Sequence, residues 1–99
     1  MDVRFADADL DRLETDASFD MQLSPALVKA YRRRLQGIRA AADERDFYAM
    51  RSWRFEKLRG RREGQYSMRL NDQFRLILEL EGSGTSKMVL IVTVEDYHG

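Results

Sequence analysis

Apolar and polar positions alternate with period two on both sides of Asn71-Asp72-Gln73. Tyr66, Met68 and Leu70 interleave with Ser67 and Arg69, and Phe74, Leu76, Leu78 and Leu80 interleave with Arg75, Ile77 and Glu79. This pattern predicts a β-hairpin. Parity then selects the loop. A two-residue turn at Asp72-Gln73 sets Leu70 opposite Arg75 on one face. A three-residue loop from Asn71 to Gln73 sets Leu70 opposite Phe74 and Arg69 opposite Arg75. Only the odd loop keeps one face apolar throughout, because a one-residue slip turns every side chain over. Asn and Asp tolerate the left-handed backbone that such a loop is expected to need.

Elsewhere the pattern is helical or short. Val3 and Phe5 fit a first strand. Asp7 is expected to cap a helix with Asp9 and Asp11 in its first turn and Leu10, Leu13 and Ala17 as its stripe. Ser24-Pro25 marks a second helix start. Leu27, Tyr31, Leu35, Ile38 and Ala42 then recur at spacings of three and four, an amphipathic helix of roughly five turns. Lys29 and Arg33 point away from that stripe, and Arg32, Arg34 and Arg39 lie at its borders. The Tyr31–Arg34 run reads as a solvated face, with a nucleic acid or an acidic partner as the alternative. The stretch Asp43 to Asp46 is expected to break the helix. Phe47, Tyr48, Met50, Trp53, Phe55 and Leu58 show no clear period and read as a connection tucked against the core. Gly60 to Gly64 and Gly82 to Thr85 are turns. Met88 to Val94 is apolar on both faces, as a central strand would be. The order predicts one α+β domain over residues 1–99, with two N-terminal helices packed on one face of a small, mostly antiparallel sheet. The other face is expected to be open, and parity puts Arg69 and Arg75 on it.

That register has a cost, since like charges directly opposed in a sheet are destabilising. It makes sense if an anion sits between the two guanidiniums, because the Arg fork matches phosphate geometry. The alternative is two solvated side chains spreading apart on an exposed face.

Composition narrows the picture. Ninety-nine residues, 43% hydrophobic and 34% charged, suit a single globular domain with a modest core. With no cysteine and one histidine, neither a disulfide framework nor a metal site is expected, and no cofactor is implied. The acidic N-terminus does not read as a signal or transit peptide, and no apolar run approaches a membrane span. A cytoplasmic location is expected by elimination. The net charge is zero, but the signs are segregated. Residues 1–28 sum to −5, residues 29–75 to +8 and residues 76–99 to −3. A basic middle suggests a patch for nucleic acid, whereas the zero total argues against strong non-specific binding.

No phosphate-cradling glycine loop and no Ser-His-Asp set can be argued. What remains is arginines with Lys57, several aromatics, and a terminal Asp96-Tyr97-His98. This mixture suits RNA cleavage without metal. The 2′-hydroxyl needs a base, the leaving 5′-oxygen needs an acid, and the charge growing on phosphorus needs fixed cations. His98 is the side chain whose ordinary pKa lies near neutrality.

Three segments together resemble the RelE/ParE toxin superfamily, and within it the HigB branch of plasmid maintenance system killer proteins. They are Phe55-Glu56-Lys57-Leu58-Arg59-Gly60, then Gly64 through Arg75, then Glu95-Asp96-Tyr97-His98. The resemblance runs from about Asp46 to His98, and the helical half shares only its layout. It implies a RelE-like fold and the toxin of a type II toxin–antitoxin system, a metal-independent endoribonuclease that cuts mRNA on the ribosome. It implies a HigA-like helix-turn-helix antitoxin as partner, with operator DNA met only through that antitoxin. Position by position, Arg75 matches the phosphate-stabilising arginine and Arg69 its neighbour on the preceding strand. Asp96, Tyr97 and His98 match the C-terminal functional triplet. His98 serves acid–base work, Asp96 orients it, and Tyr97 stacks on a base or hydrogen-bonds near the scissile bond. Arg59 matches a backbone contact, and Lys57, Arg61 and Arg62 extend the RNA-binding set. Where the branch carries a further histidine, this chain has Glu56, which would have to supply the base. Two other roles fit the same fold. One is a ParE-like gyrase-binding module, against which the Asp-Tyr-His ending argues. The other is a non-catalytic protein acting only with its antitoxin, which Glu56 and the zero net charge favour.

Overall fold

A computed structural model describes residues 1–97. Among the described residues the chain forms three α-helices and one five-stranded sheet. In order these are β1 (Asp2–Phe5), α1 (Ala8–Thr15), α2 (Pro25–Ala40), α3 (Glu44–Ala49), β2 (Glu56–Lys57), β3 (Gln65–Arg69), β4 (Phe74–Glu81) and β5 (Met88–Asp96). The sheet order is β1-β5-β4-β3-β2. The β1–β5 pair is parallel and the other three pairs are antiparallel.

The expected helix starts hold. The Leu10 amide donates to Asp7 Oδ1 at 3.0 Å, and the Leu27 amide to Ser24 Oγ at 3.2 Å with Pro25 next in line. The helices are shorter than expected: α1 ends at Thr15 and α2 at Ala40, so Ala17 and Ala42 fall outside them and are exposed. Two helices become three. The acids read as a helix breaker are in fact the cap of α3, where Asp43 accepts from the Arg45 amide at 2.9 Å. Asp46 turns back to accept from the Ala42 amide at 2.8 Å. The sheet is mixed, because β1 returns beside β5 in the same direction.

The helices cover one sheet face. Leu10, Leu13, Leu27, Tyr31, Leu35, Ile38 and Phe47 pack against Met68, Leu70, Leu76, Leu78, Val89 and Ile91. Each such burial stabilises the fold by about 1.5–3 kcal/mol. A bulge between Ile77↔Thr93 and Leu78↔Ile91 leaves Val92 unpaired. It changes the parity of β5, so that Val89, Ile91 and Val94 all face the core. The β5 strand is central, as its apolar faces predict.

Two arginines of α2 are structural cations, not solvated ones. Arg32 donates to the carbonyls of Leu13 and Asp16 at 2.9 Å and of Phe19 at 3.1 Å, closing the C-terminal end of α1. Arg34 lies 4.7 Å over the Trp53 ring and donates to the Arg69 carbonyl.

The hairpin has the odd loop. Leu70 N–H donates to the Phe74 carbonyl at 2.9 Å, and Arg69 pairs with Arg75. No loop residue takes the left-handed backbone that was expected. The Asn71 side chain makes the turn instead, its Oδ1 accepting from Gln73 N–H at 2.9 Å and Phe74 N–H at 2.8 Å.

Two substitutions probe this frame. Asn71→Ala removes an acceptor shared by two amides and is expected to cost about 1–2 kcal/mol in urea unfolding, while Asn71→Asp retains most of it. Equal stability of the alanine variant would show that the loop does not set the register. Tyr31 Oη donates to the Leu10 carbonyl at 2.7 Å in the core. Burial raises its phenol above the ordinary 10.0, with the charges of Glu14, Asp11 and Asp7 adding to the rise. The folded state thus keeps a proton that the unfolded chain releases, so stability is full below about pH 10 and falls as pH rises further. Tyr31→Phe is expected to lose about 1–2 kcal/mol at neutral pH but to fall less steeply than wild type above pH 10. Parallel curves would remove Tyr31 as the cause.

Candidate active site

The site grows from the register at the hairpin end of the sheet. Arg69, Arg75 and Glu95 form one row across β3, β4 and β5. Glu56, Ser67, Ile77 and Thr93 form the row beside it, on the same face. Arg75 is the fixed member: 16% of its side chain is exposed, against 38% for Arg69. Its Nη1 donates to Ser67 Oγ at 3.2 Å and lies 3.6 Å from Glu56 Oε2. The Tyr97 ring covers it, with the guanidinium carbon 3.5 Å from the ring centroid. Tyr97 reaches this position because its N–H donates to the Gln73 carbonyl at 2.6 Å, which ties the end of β5 to the loop. Arg69 pairs with the Asp72 carboxylate, and its carbonyl is held from the core side by Arg34. Burial, and behind it the like charge of Arg69, brings the Arg34 guanidinium down to about 10, so it remains a cation at neutral pH.

These groups surround a cleft of about 300 Å³ lined by Arg54, Arg69, Asn71, Asp72, Arg75 and Tyr97. A larger hollow of about 460 Å³ lies beside α2, walled by Phe19, Leu23 and Val28 with Lys29 and Arg33 at its rim. Asp20 also lines it, but it lies away from the cross-strand Arg69–Arg75 pair, so the sheet end is the candidate for chemistry.

The sequence-predicted residues divide here. Arg69, Arg75, Tyr97 and Glu56 come together. Asp96 does not join them: it pairs with Phe74, faces the opposite way from Arg75, and accepts from Gln73 Nε2 at 3.1 Å. The C-terminal triplet is therefore split between two faces. His98 lies outside the described residues. Lys57 pairs with Tyr66, so its parity also puts it on the opposite face from the arginines. Arg59 and Arg61 are exposed in the turn between β2 and β3.

The sheet face expected to be open is in part covered. Arg62 crosses two strands to donate to Glu95 Oε2 at 2.6 Å. Ser67 and Ile77, which share that face, are 0% and 1% exposed. Arg62 is thus spent on the fold; Arg69 stays accessible at the hairpin end, and Arg4 and Glu81 form an exposed ion pair at the other end of the same face.

Sequence reasoning missed Arg54. It sits between buried Trp53 and Phe55 in a stretch without period, and only the tertiary packing of those aromatics brings it to the cleft. The arrangement can do two things chemically. Its guanidiniums can hold phosphate oxygens, and a carboxylate beside the fixed one can accept a proton.

Among the described residues no helix is long and apolar enough to cross a membrane. No curated protein sequence shows significant similarity to the chain. The fold is similar to the YoeB/ParE toxin from Agrobacterium tumefaciens, with a TM-score of 0.63 at 16% identity over 99% of this chain and 100% of that one. The model of the RelE-like toxin of the type II toxin–antitoxin system HigB matches residues 3–98. A match over nearly the whole length decides membership, and the chain belongs to the HigB-like toxins of type II toxin–antitoxin systems.

Proposed function

We propose that this toxin is a ribosome-dependent endoribonuclease that cuts mRNA and so blocks translation. The observation that carries the reading is the cross-strand Arg69–Arg75 pair, with Glu56, Ser67 and Tyr97 gathered at the Arg75 guanidinium. In the proposed step the RNA 2′-oxygen attacks its own phosphorus and the bond to the 5′-oxygen breaks. The products are a 2′,3′-cyclic phosphate and a 5′-hydroxyl. Glu56 takes the 2′ proton and His98, the residue after Tyr97, returns one to the leaving oxygen. Arg75 and Arg69 neutralise the charge that builds on phosphorus. Asp96, facing the other way, keeps the end of β5 attached to the hairpin loop through Gln73.

Type II membership implies a protein antitoxin. We infer a helix-turn-helix partner of the HigA kind, with operator DNA reached through it. The Agrobacterium likeness extends to the fold alone, so a gyrase-binding role is tested, not inherited.

The decisive experiment maps mRNA 5′-ends in a translating extract. Wild-type protein is expected to create new ends on ribosome-bound transcripts. Arg75→Ala should lower the rate on the order of 10²–10³-fold, as removal of one transition-state donor does elsewhere. Glu56→Gln should lose rate while keeping RNA affinity. Intact transcripts with wild type and variant alike would end the nuclease reading, and inhibited supercoiling in the same preparation would replace it with gyrase binding.

A further inference from the structure

We infer that Arg54 is a phosphate-binding residue, taking the RNA phosphate adjacent to the one held by Arg69 and Arg75 and so setting the strand's path along the cleft. The identity of the ligand as RNA rests on the nuclease reading above. The assignment of Arg54 rests on two further observations.

The first is electrostatic. Of the three guanidiniums lining the cleft, Arg69 is engaged by Asp72, and Arg75 by Glu56, Ser67 and Tyr97. Among the described residues Arg54 alone of the three has no side-chain hydrogen bond, ion pair or ring contact. A charge left without a partner beside two satisfied ones is the cation an incoming anion meets first.

The second is conformational. Arg54 closes the 3-10 turn at Arg51–Trp53 with φ 46° and ψ 51°, the left-handed region that glycine enters freely and other residues enter with strain. Met21 and Gln22 share this feature, in the α1–α2 connection. At Arg54 the backbone has no room to relax. Trp53 is pinned under the Arg34 guanidinium and against Gly37, where a Cβ would come within 2.6 Å of the indole. Phe55 stacks on Tyr66 with centroids 5.0 Å apart. The position suits glycine, yet carries a long cation whose side chain gives the fold no hydrogen bond, ion pair or ring contact. Backbone strain held in place by its neighbours, at the edge of a cleft, points to use by a ligand.

The test uses the full chain and a labelled 2′-O-methyl RNA oligonucleotide, which has phosphates but no free 2′-hydroxyl to react. Anisotropy is read across a salt series for wild type, Arg54→Asn and Arg54→Lys, with thermal unfolding alongside. Arg54→Asn is expected to weaken binding about tenfold and to flatten the log K against log salt slope by about 0.7. Its Tm should stay level or rise, since Asn tolerates the left-handed backbone. Arg54→Lys should restore the slope. Wild-type affinity and slope in the Asn variant would overturn the inference, and so would a fall in Tm that Lys does not repair. Arg54-dependent binding in a protein that cuts no mRNA would overturn the nuclease reading and leave this assignment standing.

Discussion

The three-residue loop at Asn71–Gln73 is the constraint from which the site is measured. One side-chain oxygen, Asn71 Oδ1, receives two amides and fixes the register. That register puts Met68, Leu70, Leu76 and Leu78 into the core, and the same parity sets Arg69 across from Arg75. Opposed like charges cost up to roughly 1 kcal/mol, whereas the apolar burial that comes with this pairing contributes about 1.5–3 kcal/mol per side chain. The core therefore wins, and the arginine pair is carried along with it. Arg34 from α2 and Tyr97 from the end of β5 both attach to backbone atoms of this hairpin, at Arg69 and Gln73. The helical layer, the hairpin and the chain end thus share one reference point.

The arginine pair is tolerable because each member keeps a carboxylate of its own. Asp72 is 96% exposed and Glu56 is 55% exposed. Ion pairs this open to water are worth about 0–1 kcal/mol, so a phosphate displaces either carboxylate at little cost. The two arginines differ in how they would receive it. Arg75 is nearly enclosed and held by Ser67 and the Tyr97 ring, which fixes its fork in advance. Arg69 is more exposed and adaptable. Preorganised charge is what a transition state rewards, so the deeper arginine is suited to the chemistry and the outer one to capture.

Those features were legible wherever a residue's role is local. Ser24-Pro25 announces a helix start, and alternation with an odd loop announces the hairpin register, from nearest neighbours alone. The misses have tertiary causes. Asp43 reads equally as a breaker or a cap until α3 has a core residue, Phe47, to bury. The bulge at Val92 lies in a uniformly apolar run, where a shift of parity leaves no trace. Glu56-Lys57 is too short to alternate, and becomes β2 because β3 offers it an edge. Asp96 and Tyr97 adjoin in sequence, so a motif treats them as one unit, but a strand sends neighbouring side chains to opposite faces. Arg62 looks identical to Arg61 until Glu95 comes within reach.

The same reasoning changes the meaning of the basic middle segment. Arg32 and Arg34 cap carbonyls in the fold, Arg39 pairs with Glu14, Arg45 with Asp43 and Arg62 with Glu95. A sum of +8 over residues 29–75 is therefore no measure of charge available to RNA. Among the described residues Lys29, Arg33, Arg51, Arg54, Lys57, Arg59 and Arg61 have no side-chain partner, and of these Arg54 alone lines the cleft beside Arg69 and Arg75. With half of that segment's fourteen cations tied up in the fold or in ion pairs, the chain gains less from long-range capture of a free strand than its sum suggests, because that affinity scales with the number of phosphates neutralised. It gains most where the strand is already held and presented at fixed geometry, as a ribosome holds mRNA. On the proposed reading zero net charge and a nuclease role are compatible: the ribosome would supply the affinity, and the cleft would supply the local charge.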